Sequence, residues 1–173
     1  MKKLVLFAAI PLISLQAQTP SDPLSKAANG FYGVVKGEVL KAAEEMPEEN
    51  YSFKPVSTVR TFGELVGHVA DGQYEFCSIV LADGTKPPGV EKTKTTKADL
   101  IAALKVAFAY CDKAYTDMTD TKATETVSFF GRNMPKLEIL NINTAHTDEH
   151  YGNMVTYLRI KGLVPPSSQR SGQ

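Results

Sequence analysis

Several function classes lack their usual marks in this sequence of 173 residues. No basic tract and no interleaving of basic with aromatic residues is present, so the electrostatic footprint of a nucleic-acid binder is missing. No phosphate loop, nucleophile triad or second cofactor motif appears, and nothing names a substrate beyond a small molecule. Internal repeats and low-complexity segments are absent, and strand signals are scarce. Cysteine is confined to Cys77 and Cys111, and histidine to His68, His146 and His150. Beyond Glu149 there is no acidic residue at all.

What is present suits one soluble domain: 43% hydrophobic and 22% charged residues suffice for a sizeable core. The N-terminus stands apart from it. Lys2 and Lys3 precede an apolar run, Leu4 to Leu15, that ends in Gln16-Ala17-Gln18. This has the form of a secretory signal peptide over residues 1–18, followed by a domain over 19–173. The run is shorter than the roughly 18 apolar residues of a membrane span, and Pro11 interrupts it. The expectation is a periplasmic or secreted protein, free of the membrane after cleavage and without a lipoprotein cysteine. Removing two lysines from 19 basic residues, against 19 acidic ones, leaves a net charge of −2. An oxidising compartment would allow the two cysteines to pair.

Asp22-Pro23 offers an N-cap and a first-turn proline, after which Leu24, Ala28, Phe31, Val35, Val39 and Ala42 recur at helical spacing as far as Met46-Pro47. Gly30, Gly33 and Gly37 share a face of this helix, which predicts close approach by a neighbour. Thr61-Phe62-Gly63-Glu64 has the form of a capping box that opens a second helix. Its apolar stripe is Phe62, Leu65, Val66, Val69, Phe76 and Val80, with His68 on the shoulder and Gly72 one turn further on. A long polar linker, residues 82–95, leads to a third helix capped by Thr96. Residues 121–130 read as extended, and Asn133 with Pro135 reads as the start of a last helix that ends near Lys161, before Gly162 and Pro165-Pro166. The tail after Ser167 is expected to fray. Four amphipathic helices make the fold class all-α, a four-helix bundle.

On the last helix His146 and His150 are four apart and share a face with Ile139, Asn143, Asn153, Met154 and Tyr157. They are either core histidines bonded to their neighbours or two ligands of a metal, with His68 able to complete a facial set. Three neutral imidazoles with positions left open suit zinc, nickel, iron, manganese or another divalent transition metal. His146-Thr147-Asp148-Glu149-His150 also matches the H-x-x-E-H of one metalloprotease class, but the acidic third ligand that class needs further along is missing. Di-iron bundles need Glu three residues before a histidine, and no histidine here has one. Cys77 lies nine residues after His68, half a turn around the helix, and cannot share a metal with it.

These residues resemble the DinB-like (YfiT-like) metalloenzymes. The likeness lies in Ala43-Glu44-Glu45-Met46-Pro47, in Thr61 through His68, in His146 through Asn153, and in Tyr157-Leu158-Arg159 through Gly162 to Pro166. It implies a bundle of up-down-down-up order and a metal held by one histidine of the second helix and two of the fourth, here His68, His146 and His150. It also implies relatives that are thiol-dependent transferases or isomerases, and pairing as a homodimer. Many members follow the last ligand with His-Arg-Gly-Gln, where this chain has Tyr151-Gly152-Asn153-Met154. The implied crossover between the second and third helices would bring Cys77 and Cys111 near each other, as a disulfide or as two buried thiols. The expected activity is that of a metal-dependent hydrolase or thiol transferase, with a non-catalytic metal-binding or stress-related protein as the alternative. Glu149, Asn143, Asn153 and Tyr157 are candidates for contacts to the ligands or to substrate.

Overall fold

Apolar residues at three- and four-residue intervals build four long helices in the computed structural model, which describes residues 21–169. The expected signal peptide, 1–18, lies outside the described residues. In chain order the elements are α1 (Pro23–Glu45), α2 (Phe62–Leu81), a single turn α3 (Val90–Thr93), α4 (Lys97–Thr116), a second single turn α5 (Asp120–Ala123), strands β1 (Thr126–Phe129) and β2 (Arg132–Pro135), and α6 (Lys136–Ile160). The strands pair as an antiparallel hairpin with Phe129 opposite Arg132. Among the described residues no helix is long and apolar enough to cross a membrane.

Each of α1 and α2 packs against both α4 and α6, and the shared core includes Tyr32, Val35 and Val39 from α1 and Phe62, Val66 and Val69 from α2. Leu104 and Phe108 of α4 and Ile139, Leu140 and Met154 of α6 complete it. At the start of α2 the Thr61 hydroxyl accepts from the Glu64 amide at 3.2 Å while the Glu64 carboxylate accepts from the Thr61 amide at 2.6 Å. That is the reciprocal cap read from the sequence. Thr96 caps α4 from one side only, its hydroxyl accepting from Asp99 N–H at 3.1 Å. Beyond α6, Gly162 has φ 76° and Leu163 N–H reaches back to Leu158 C=O at 2.9 Å, a glycine-based stop. Cys77 and Cys111 are joined by a disulfide that ties α2 to α4, with their Cα atoms 5.3 Å apart.

Several local expectations are corrected. Asp22 is left-handed at φ 46° and does not cap its own helix; its carboxylate instead accepts the Asp120 amide at 2.8 Å. No atom lies within 4 Å of a Cβ added at Gly30, Gly33 or Gly37, so these glycines face outward and not toward a neighbouring helix. Phe31 is 55% exposed, because the buried stripe of α1 runs through Tyr32 instead. The linker folds back in its middle as α3 and buries Val90. Residues 121–130 are extended only in β1, and Asn133 pairs with Ser128 in the hairpin, so α6 begins after Pro135 without a side-chain cap. The tail is anchored through residue 169. Tyr151 Oη and Ser167 Oγ are 2.8 Å apart, and the Gln169 amide donates to the Glu45 carboxylate at 2.8 Å.

Candidate metal centre

On α6 the four-residue spacing stacks His146 and His150 on one face, and α2 presents His68 opposite them. His146 Nε2 lies 3.2 Å from His68 Nε2 and 3.1 Å from His150 Nε2. One nitrogen from each of the three side chains falls within 4.8 Å of the others. Gly72 makes room for this arrangement, since a Cβ at that position would come within 2.9 Å of His146 Cε1. The Phe76 ring closes the same side of His146 at a centroid distance of 5.3 Å.

His68 is oriented from outside the cluster. Its Nδ1 lies 2.9 Å from Glu91 Oε2, and a proton on Nδ1 donated to that carboxylate leaves the Nε2 lone pair pointing inward. The other oxygen of Glu91 accepts from Arg60 Nε at 2.7 Å. Burial pushes the Glu91 pKa up, but the hydrogen bonds from Arg60 and His68 outweigh it and hold the carboxyl below its ordinary range. Two features of α2 set the position of Glu91. The Asp71 carboxylate accepts the Val90 and Glu91 amides at 2.8 and 3.0 Å, and a Cβ at Gly67 would come within 2.6 Å of Glu91 Cα.

Burial lowers His146 from 6.5 to about 4, and the neighbouring His68 adds to the effect. Burial likewise lowers His150 to about 4, with His146 and His68 contributing. These two rings are therefore neutral near pH 7. In the tautomer with the proton on Nδ1, each ring turns an Nε2 lone pair inward, and His146 Nε2 meets those of His68 and His150 at 3.2 and 3.1 Å. A cation among them satisfies all three at once, so the donor set fits a divalent transition metal.

A cleft of about 690 Å³ opens beside His150, with Lys54, Arg60, Glu149, Asn153 and Tyr157 in its walls. The Tyr157 hydroxyl donates to Arg60 C=O at 2.6 Å, and the Asn153 amide lies 3.4 Å from His150 Nδ1. Asn143 is not in this cleft. It is fully buried, and its amide nitrogen faces Gln73 Oε1 at 3.0 Å and Tyr115 Oη at 3.1 Å, with Cys111 Sγ at 3.4 Å. It belongs to a polar layer of the core and not to the walls of the site. Sequence reading passed over Glu91, Asp71 and Arg60. Gly67 together with Asp71, on either side of His68 in a helix otherwise rich in apolar residues, was the available signal that something docks there.

The DinB superfamily profile matches residues 35–154, a span that holds all three histidines. The uncharacterized protein YjoA of Bacillus subtilis is 27% identical over 124 residues, which cover 69% of this chain and 79% of that one. Its crystal structure aligns with a TM-score of 0.67 at 22% identity, over 83% of this chain and 99% of YjoA. A DinB-like protein from Bacillus cereus aligns with a TM-score of 0.73 at 19% identity, over 82% and 95%. A mycothiol-dependent maleylpyruvate isomerase shares the fold at a TM-score of 0.64 and 14% identity, over 75% of this chain and 60% of the isomerase. Because the profile match covers most of the chain, and runs from α1 through both helices that carry the histidines, the chain belongs to the DinB superfamily.

Proposed function

We propose that this chain is an exported metal-dependent enzyme, a hydrolase or thiol transferase, that binds one divalent transition metal through His68, His146 and His150. The observation that carries the reading is the convergence of three Nε2 atoms, with His68 held by Glu91 from the far side. A metal bound there would supply a Lewis acid that lowers the pKa of a water or thiol, or polarises a substrate oxygen. The chain's own part is to keep the imidazoles neutral by burial and to line one side of the site with polar groups of the cleft. Glu149, Asn153 and Tyr157, which line the cleft, would touch substrate there. The thiol-dependent isomerase among the structural neighbours supports the transferase branch of the reading.

The same proposal includes export and an up-down-down-up bundle. Export is supported by the signal-like N-terminus and by the disulfide, a bond that persists in oxidising compartments. The bundle order is supported by the heights of the bridged cysteines, 15 residues after Phe62 in α2 and 14 residues after Lys97 in α4, as a parallel pair requires. Cobalt substitution tests the enzymatic reading: water exchanging on the bound cobalt supports an open, catalytic site. A coordination shell closed by protein groups contradicts it.

A further inference from the structure

We propose that the cleft beside the histidines takes a small molecule bearing a carboxylate, and that Arg60 is the residue that recognises it. The inference rests on the histidine cleft being the working site. Arg60 is anchored at two points. Its carbonyl accepts from Tyr157 Oη at 2.6 Å, and its Nε donates to Glu91 at 2.7 Å. The side chain is nevertheless 41% exposed, and its terminal Nη pair has no partner among the described residues. Those two nitrogens form the parallel-donor edge that matches a planar carboxylate. A guanidinium already held in place loses little further freedom when it captures a ligand.

Glu91 occupies only the Nε of Arg60, since the second Glu91 oxygen is engaged by His68. No other carboxylate of the cleft engages the guanidinium among the described residues. Glu64 is committed to the Thr61 amide in the capping box, which leaves Glu149 as the only carboxylate of the cleft wall without a hydrogen-bond partner among the described residues. Lys54 adds a second cation to the wall. One open guanidinium edge facing a cleft that also holds an unpaired Glu149 suits a monoanionic carboxylate better than a phosphate dianion. A molecule held at Arg60 would extend along the cleft toward His150, which lines the same cleft.

Propionate and its uncharged counterpart propionamide, titrated into the exported chain in metal-free and zinc-loaded forms, test the assignment. Binding is followed by the NMR signals of the arginine Nε–H groups, with the Arg60 signal identified by its loss in Arg60→Lys. Propionate is expected to shift that signal saturably while propionamide leaves it in place. Arg60→Ala should weaken propionate binding about tenfold or more, and Arg60→Lys should recover part of the loss, since it keeps the charge without the fork. Arg60→Ala binding propionate as tightly as the parent protein, or equal affinity for the two probes, would overturn the proposal. The metal-free titration separates the two ideas, because failure to take up zinc counts against the histidine site alone.

Discussion

Of the histidine cluster Glu91 hydrogen-bonds only His68 among the described residues, yet removing it should be felt by the whole cluster. Glu91→Ala takes away the acceptor that keeps the proton on His68 Nδ1, and metal affinity measured by competition with a chelator should fall about 10- to 100-fold. Glu91→Gln, which keeps an acceptor oxygen, should lose less. Acidification tests the other two rings. Their ordinary pKa of 6.5 falls to about 4 in the folded protein, so between those values the unfolded chain binds more protons than the folded one. Metal-free protein should therefore lose stability as pH drops from about 6.5 toward 4, with little further loss from these groups below that. Urea unfolding at a series of pH values measures it, and a flat profile across that window would contradict neutral buried rings. His146 and His150 were legible as a pair because a period of 3.6 residues puts positions four apart on one face. Glu91 was not legible. It sits in a segment of Pro, Gly, Asp and Lys with no periodicity, and its meeting with His68 depends on docking that local sequence does not encode.

Docking of α3 on α2 is the element-scale counterpart of that contact. Gly67→Ala would drive a methyl group into the backbone of Glu91, and backbone cannot swing aside as a side-chain tip can. Asp71→Ala would strip two amides of their acceptor at a cost of about 1 kcal/mol. Both variants should weaken metal binding together with thermal stability. Hydrogen exchange at the Val90 and Glu91 amides would show the loosening directly, and unchanged protection in Asp71→Ala would count against the capping role. The long helices themselves could be read from the sequence because their apolar spacing agrees with the caps at Thr61 and Thr96 and with the stop at Gly162. Disagreement arose where one feature had two physical uses. The outward glycines of α1 resembled a packing groove, and Asn133, a good cap former, serves a hairpin instead.

At the scale of the whole molecule the Cys77–Cys111 bond constrains the pair of helices beneath the site. It closes a sequence separation of 34 residues, and the chain-entropy relation gives it about 4 kcal/mol of stabilisation. Protein purified without reductant should show no free thiol in non-reducing mass spectrometry, and its melting temperature should fall on reduction; two free thiols would remove both the bond and the support it gives to the proposed export. Reading the pairing from sequence depended on a parallel crossover between α2 and α4, which the length of the linker allows without demanding. The central claim is that three histidines from two helices hold one metal ion. Metal analysis of the purified protein beside a His146→Ala, His150→Ala double variant with an unchanged circular dichroism spectrum tests it most directly. The account predicts about one transition-metal ion per chain in the parent and close to none in the variant, since a single remaining imidazole cannot make a site of this kind. Equal metal content in the two proteins would contradict it.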